Sequence, residues 1–318
     1  MKLQTHLPLA KAENQIGYDS RVLLMGSCFS ENIGEKLAYF KFRSLQNPFG
    51  ILFHPKAIEN LFERAVEHRE YGDDEVFFLN DHWQSFDVHS NLSAISREEA
   101  LHNLKEALQN TAHQIEATTH IIITLGTAWV YRHLKTKKFV ANCHKVPQKE
   151  FTKELLSIDV IAVCLGNIMA LVKVVNPKVQ FIFTVSPVRH LKDGFVENQR
   201  SKAHLIAGIH QILESSNAEF QMAYFPAYEI MMDELRDYRF YESDMLHPNP
   251  LAIDYIWEKF MHVWIAEKAH GTMAGVDDVQ KALQHRAFHP DSEHHQKFKK
   301  TLAGKITYLQ QEHPFMAF

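Results

Sequence analysis

The stretch Arg21-Val-Leu-Leu-Met-Gly-Ser-Cys-Phe-Ser-Glu-Asn-Ile-Gly34 decides how this chain is expected to fold. Residues 21–25 read as a short buried strand, Gly26 as a tight turn, and the residues after it as the start of a helix. Ser27 and Cys28 lie at that turn, at the carboxyl edge of the expected sheet and facing the positive end of a helix dipole. Enzymes of the α/β class place a nucleophile or bind an anion at such a position.

Apolar runs of strand length alternate with helical patterns along most of the chain. Buried strands are predicted at residues 119–125 and 178–185, a hairpin at 128–141, and one long apolar helix at 152–175. This alternation predicts an α/β domain with a mostly parallel sheet and helices on both faces. The active site of such a domain is expected at the carboxyl ends of the strands.

The character of the chain changes near residue 270. Two polar helical segments are predicted at residues 274–286 and 291–311, and the second carries an apolar stripe of Phe298, Leu302, Ile306 and Leu309. We therefore predict two parts, a large α/β domain over residues 1–269 and a helical extension over residues 270–318. The stripe is typical of helices that pack on their own domain or on a partner subunit, which makes a homo-oligomer through these helices one expectation.

Composition argues against several classes of protein. The 318 residues are 46% hydrophobic and 23% charged, as in globular proteins, and the net charge of −4 argues against a nucleic-acid partner. Cys28, Cys143 and Cys164 are too few and odd in number for a disulfide scaffold, and fit a reducing compartment. No signal peptide and no apolar run near the ~18–20 residues of a membrane span are recognised. We expect a cytoplasmic protein without a membrane span.

A second chemical motif follows the last predicted strand, where Asp244 and His247 stand three residues apart in a turn. At this spacing the carboxylate can accept a hydrogen bond from Nδ1 of His247, which leaves Nε2 free as a general base. A helix-capping turn with an exposed histidine would have the same sequence. The position after the last strand, opposite the turn after the first, favours a catalytic pair.

Residues 26–34 resemble the name-giving motif of the GSCFA-domain proteins, with Ser30 in place of the motif's alanine. Residues 47–52, 124–129, 142–145 and 186–189 also resemble that family, which is similar to the SGNH, or GDSL-type, hydrolases. The resemblance extends to about residue 265. It implies a three-layer α/β/α, flavodoxin-like fold with a five-stranded sheet, and hydrolysis of an acyl ester. It also implies that Asp244 and His247 match the D-x-x-H block of the SGNH enzymes.

The first departure from the SGNH pattern concerns the nucleophile. The serine of those enzymes aligns with Cys28 and the preceding aspartate with Ser27, so the alignment favours Cys28, whereas hydroxyl chemistry favours Ser27. A thiol at a helix N-terminus near a histidine would be partly thiolate and competent for acyl transfer. The alternative for Cys28 is a small buried hydrophobe beneath the turn.

The second departure is Ala128, which aligns with the asparagine that donates to the oxyanion in SGNH enzymes. One missing donor would cost roughly 3–4 kcal/mol of transition-state stabilisation. Gly50 matches the glycine whose backbone N–H is another donor. Asn142 or His144 could replace the missing amide if their hairpin folds back over the site, although the same residues also suit a loop with an N-cap.

Two further polar residues near predicted strand ends complete the candidate site. His89 is a candidate pocket residue, with a surface histidine as the alternative. Arg189 is a candidate for holding an anionic substrate group, with a salt bridge that fixes the loop as the alternative.

The leading prediction is an esterase that removes a small acyl group, such as acetate, from a carbohydrate-like small-molecule ester, with no cofactor and no metal. The missing asparagine motivates an alternative, a non-catalytic ligand-binding protein on an SGNH scaffold. A metal-dependent hydrolase using His89, His144 and Asp244 is a third hypothesis, which no recognised ligand spacing supports.

Overall fold

The computed structural model describes residues 5–215, 220–285, 288–289 and 292–318. Within them the strands are β1 (Arg21–Gly26), β2 (Arg43–Gln46), β3 (Phe77–Leu79), β4 (His82–Gln84), β5 (His120–Leu125), β6 (Trp129–His133), β7 (Phe139–Val140), β8 (Phe151–Leu155), β9 (Gln180–Val185) and β10 (Gln221–Phe225). The α-helices are α1 (Cys28–Tyr39), α2 (Pro55–Val66), α3 (Arg97–Ala117), α4 (Ile158–Val175), α5 (Phe195–Ser215), α6 (Ala227–Glu229), α7 (Pro250–Trp264), α8 (His270–Gln284) and α9 (Glu293–Glu312).

Five of these strands form a fully parallel sheet in the order β10-β9-β5-β1-β2. When these five strands are numbered 1 to 5 in chain order and the sheet is read from β2 to β10, the order is 2-1-3-4-5, which is the flavodoxin-like arrangement. The topological switch point of that arrangement lies between β1 and β5, where Gly26 is in register with Thr124. The turn after β1 therefore opens where doubly wound proteins bind their ligands.

The sheet separates two hydrophobic clusters, and neighbouring residues of β1 point into opposite ones. Leu23 and Met25 join a cluster with α2, α3, α4 and α5, whereas Val22 and Leu24 join a cluster with α1, α7 and α8. Every residue of β5 and β9 is buried, as expected for parallel strands covered on both faces. The structure confirms the three-layer α/β/α architecture.

The hairpin predicted at residues 128–141 is present, and a third strand extends it. Strands β6 and β7 pair antiparallel, and β8 pairs with the other edge of β6. The prediction of one helix over residues 152–175 was therefore wrong at its start. The helix α4 begins only at Ile158, after Ser157, whose hydroxyl accepts a hydrogen bond from the Val160 amide at 3.3 Å.

Helix α4 is long and apolar enough to cross a membrane by length and composition, so the expectation that no apolar run approaches a membrane span was wrong for these residues. It packs against α2 and α5, with Ile161, Leu165, Ile168 and Val172 fully buried in the core. A core helix of a parallel α/β domain meets the same length and composition criteria. The finding therefore does not by itself identify a membrane span.

Helices α8 and α9 pack on the same hydrophobic cluster as α1 and α7. Met273 and Val276 of α8 and Leu309 of α9 are buried in it, and Leu302 and Ile306 lie against it. Most of the predicted apolar stripe thus faces this chain's own core. The predicted helix ends at residues 286 and 291 lie outside the described residues, and the domain boundary at residue 270 and the homo-oligomer stay predictions.

Candidate active site

The turn after β1 depends on a glycine. Gly26 has a φ of +146°, and a Cβ there would lie 2.2 Å from the carbonyl oxygen of Thr124. Its own amide donates to Asn47 Oδ1 at 2.9 Å, and the next amide, of Ser27, donates to Thr124 O at 3.0 Å. These contacts fix the start of α1 against the end of β5 and the loop after β2.

Ser27 and Cys28 have different environments at this turn. Ser27 is the N-cap of α1: it is 1% exposed, and its Oγ accepts a hydrogen bond from the Phe29 amide at 3.3 Å. Cys28 is the first helical residue and is partly exposed. The pKa of the Cys28 thiol is raised overall, because burial and then Glu31 raise it by more than its own amide, the Lys202 charge and the Phe29 amide lower it. The partly ionised thiol expected from the sequence is therefore not found in the free site, and the thiol must lose its proton during the reaction. The more accessible of the two candidate nucleophiles is thus the thiol.

Asp244 and His247 form the hydrogen-bonded pair that their spacing predicts. Nδ1 of His247 lies 2.7 Å from Oδ2 of Asp244, and both side chains are about half exposed. The other carboxylate oxygen accepts hydrogen bonds from the amides of Leu246 and His247 at 2.8 and 3.0 Å. The hydrogen bond from the His247 ring, followed by those from the two amides, lowers the pKa of Asp244 to about 2. With Nδ1 held by the carboxylate, Nε2 is the ring nitrogen left for a substrate.

The loop after β9 connects this pair to the edge of the sheet. The Arg189 amide donates to the Leu246 carbonyl at 3.1 Å. Its guanidinium stacks over the rings of Tyr241 and Tyr238, at 4.2 and 5.2 Å from their centroids. Arg189 therefore packs against the segment that carries Asp244, a contact that was not considered from sequence, and its anion-binding role stays a prediction.

Two ionisable residues that were not predicted from the sequence lie at the carboxyl edge of the parallel sheet. The first is Lys202 of α5, which is fully buried. Its Nζ donates to the carbonyls of Gly126 and Ser186, each at 2.7 Å, and these residues directly follow β5 and β9. Burial lowers the pKa of Lys202 to about 7, with Cys28 acting in the opposite direction. A lysine three residues before buried Leu205, on the inward stripe of α5, was the available sequence signal.

The second missed residue is His190. Its Nε2 is buried without a hydrogen-bond partner among the described residues, and lies 3.0 Å from the place that a Cβ on Gly126 would occupy. Burial, followed by the charges of Lys202 and His247, lowers the pKa of His190 to about 3, so the imidazole is neutral near pH 7. Because the charges of Lys202 and His247 both act on its pKa, His190 lies within electrostatic range of both residues. The only sequence feature that pointed to His190 was its position next to the candidate residue Arg189.

A model of the GSCFA family matches residues 21–260, which is most of the chain. The chain belongs to the GSCFA family. A second model, of the C-terminal domain of GSCFA domain proteins, matches residues 276–318 of this GSCFA protein. A search of curated proteins finds no match.

Solved structures that resemble this GSCFA protein do so at low identity. One is a carbohydrate esterase family 3 structure from Talaromyces cellulolyticus, with 8% identity over 81% of this chain and 99% of that chain, and a TM-score of 0.36. Another is an acetyl xylan esterase, Est2A, from the rumen bacterium Butyrivibrio proteoclasticus. It has 11% identity over 85% of this chain and 66% of that chain, and a TM-score of 0.40.

Two positions taken from the SGNH comparison do not have the expected geometry in this GSCFA protein. The Gly50 amide donates to Asn47 O at 2.7 Å, so it is not free to hold an oxyanion. With a φ of +75°, Gly50 instead lets His89 approach, because a Cβ there would lie 2.4 Å from Cβ of His89. Ala128 is fully buried and its amide donates to Ser201 Oγ at 2.7 Å, so its methyl group lies in the core.

The other three candidates, Asn142, His144 and His89, have hydrogen bonds within the protein. Oδ1 of Asn142 accepts a hydrogen bond from the His144 amide at 2.9 Å, and Nε2 of His144 lies 2.7 Å from Ser85 O. Both residues line a cavity of about 360 Å³ against the β3–β4 hairpin, and neither Cys28 nor His247 lines it. His89 accepts the Asn91 amide at 3.4 Å and so caps a short 3-10 turn.

Metal ligation was the third hypothesis. In the parts of the chain that the structure describes, no group of three or more His, Cys, Asp or Glu side chains could hold a metal ion.

Proposed function

We propose that this GSCFA protein is an acyl-ester hydrolase that removes a small acyl group, such as acetate, from a carbohydrate-like alcohol. The observation that carries the proposal is the hydrogen bond of 2.7 Å between Asp244 and His247. It presents a free Nε2 from a turn bonded to the loop after β9, at the sheet edge where Cys28 begins α1. Three free cysteines support a reducing, cytoplasmic location.

Cys28 is the nucleophile in this proposal. Its sulfur attacks the ester carbonyl while Nε2 of His247 takes the thiol proton, and the same proton then passes to the leaving alcohol. Water, activated in turn by His247, hydrolyses the resulting thioester. Asp244 keeps the imidazole in the required tautomer and stabilises the imidazolium that forms at each step. The hydroxyl of Ser27 caps the N-terminus of α1, so the role of Ser27 in this proposal is structural.

The negative charge on the carbonyl oxygen needs donors other than Gly50 and residue 128. The Cys28 amide is one, because the first residue of a helix has no intrahelical carbonyl partner. His190 is the other: a neutral imidazole can donate a hydrogen bond to an oxyanion, and its Nε2 has no partner among the described residues. This pair replaces the donors expected from the SGNH comparison.

Hydrolysis of para-nitrophenyl acetate and of a panel of acetylated sugars tests the proposal. We expect Cys28→Ala and His247→Ala to lose at least about a thousandfold in kcat/KM. Ser27→Ala should keep most of the activity and lose about 1 kcal/mol of stability with its cap. Full activity in His247→Ala would refute the mechanism. Tight binding of an acetylated sugar without turnover would instead favour the non-catalytic ligand-binding alternative.

A further inference from the structure

Lys202 is a buried amine with a pKa of about 7, so its ammonium form is substantially populated near pH 7 and predominates below it. Its side chain is fully buried, and its two hydrogen bonds go to the neutral carbonyls of Gly126 and Ser186. No carboxylate within the described residues forms an ion pair with it. Burying an ammonium group costs several kcal/mol unless an opposite charge compensates. A purely structural link between two strand ends would be made at lower cost by a neutral donor.

The position of Lys202 relates it to the nucleophile turn. Gly126 lies two residues after Thr124, the residue whose carbonyl accepts the Ser27 amide. The ammonium group donates a hydrogen bond to the Gly126 carbonyl. It therefore lies at the end of β5, next to the turn that carries Cys28. The two groups act on each other, since the Lys202 charge favours the thiolate and Cys28 favours the ammonium.

We propose that Lys202 is the charge partner of the Cys28 thiolate, an inference that rests on the acyl-ester hydrolase function proposed above. When the S–H bond of Cys28 breaks, its proton goes to Nε2 of His247 and the electron pair stays on sulfur. The ammonium of Lys202 then faces the new negative charge, and the Cys28–Lys202 pair is neutral overall. Lys202 acts through Cys28 and is a positioning residue.

The other charged or titratable groups around the pair do not fill this role. Glu31 on α1 opposes it by raising the pKa of Cys28. His190 is neutral near pH 7 because its pKa is about 3. Tyr228 of α6, whose ring centroid lies 5.7 Å from Nζ, has a pKa raised by burial and is neutral as well.

The chain contains a matched control thiol. Cys143 is also partly exposed, and burial raises its pKa to about 11. In the wild-type protein, iodoacetamide alkylation of Cys28 and Cys143 is followed by peptide mass spectrometry as a function of pH. We expect Cys28 to react at least about tenfold faster than Cys143 at pH 6.5, with an inflection at least about one pH unit lower. No ester is involved, so the result does not depend on whether the protein is an esterase.

Comparison of Lys202→Met with Lys178→Met, a control at an exposed site, shows whether Lys202 is the cause of the faster alkylation of Cys28. In a shared His247→Ala background, we expect Lys202→Met to slow Cys28 alkylation by about tenfold or more at pH 6.5, where the ammonium form of Lys202 predominates, and exposed Lys178→Met to leave it unchanged. An unchanged Cys28 profile in a folded Lys202→Met protein would overturn the proposal. If Lys202→Met does not fold, the wild-type profile decides: inflections of Cys28 and Cys143 at the same pH would overturn it.

Discussion

The Asp244→Asn substitution changes one hydrogen bond of the candidate site and preserves the others. Oδ1 of Asp244 accepts the amides of Leu246 and His247, and an asparagine carbonyl can keep both bonds. The second oxygen, which accepts Nδ1 of His247 at 2.7 Å, becomes an NH2 group. That group donates, so the imidazole must place its proton on Nε2 to accept from it. The nitrogen that should take the thiol proton is then occupied.

The expected loss follows from this exchange of tautomers. In a serine hydrolase with a buried aspartate, the corresponding change lowers kcat by about 10⁴. Asp244 and His247 are 44% and 47% exposed, so water can partly replace the lost partner. We therefore expect kcat to fall by about 10²–10⁴, with little change in KM. Because the backbone hydrogen bonds persist and the site is half exposed, the midpoint of thermal unfolding should stay close to that of the wild type.

Steady-state hydrolysis of para-nitrophenyl acetate by wild type and Asp244→Asn measures the effect, with thermal unfolding as the control for folding. Asp244→Ala should lose stability as well as rate, since the amides of Leu246 and His247 then lose the oxygen that accepts both of their hydrogen bonds. A folded Asp244→Asn protein that keeps more than about a tenth of the wild-type kcat would refute the role given to the carboxylate.

Three further predictions concern the fold and the oxyanion site. Burial lowers the pKa of His54 to about 4, below its unfolded value, so its contribution to stability is intact above pH 6.5 and is lost as pH falls. In urea unfolding, the wild type should lose about 3 kcal/mol more than His54→Asn between pH 7.5 and 4. Gly26→Ala, with its Cβ 2.2 Å from Thr124 O, should lose more than about 4 kcal/mol in the same assay. His190→Ala should lower kcat about a hundredfold, and His190→Gln, which keeps an N–H donor, by less.

Each of these has an outcome that contradicts it. Parallel stability profiles for wild type and His54→Asn between pH 7.5 and 4 would mean that His54 titrates normally. A Gly26→Ala protein of wild-type stability would show that the turn can relax away from Thr124. Equal kcat values for His190→Ala and the wild type would remove His190 from the oxyanion site.

The sequence was informative where the structure is determined by neighbouring residues. The Asp244–His247 pair depends on contacts within a few residues, and the β1–turn–α1 unit is marked locally by its apolar run, its glycine and its N-cap. Both have the expected form. The buried strands β5 and β9 were recognised because each is a continuous apolar run, as parallel strands covered on both faces are. The choice between Ser27 and Cys28 was left open because it depends on where the helix begins, and a shift of one residue exchanges the cap and the exposed side chain.

Contacts between distant segments account for what the sequence did not predict. Lys202 and the carbonyl of Gly126 are 76 residues apart, so a lysine on the inner face of a helix gave no indication of its partner. The start of α4 was misplaced because residues 151–155 become a strand only through pairing with β6. The Gly50 amide was expected to be free because its bond to Asn47 arises from a loop conformation that the motif does not specify.

Trapping the acyl-enzyme tests the central claim most directly. Wild-type protein is mixed with para-nitrophenyl acetate, quenched in acid during turnover, digested, and mapped by mass spectrometry. We predict an acetyl group on Cys28, bound as a thioester, that disappears in Cys28→Ala and persists in Ser27→Ala. An acetyl group on Ser27, or rapid ester hydrolysis by the Cys28→Ala protein, would contradict the account.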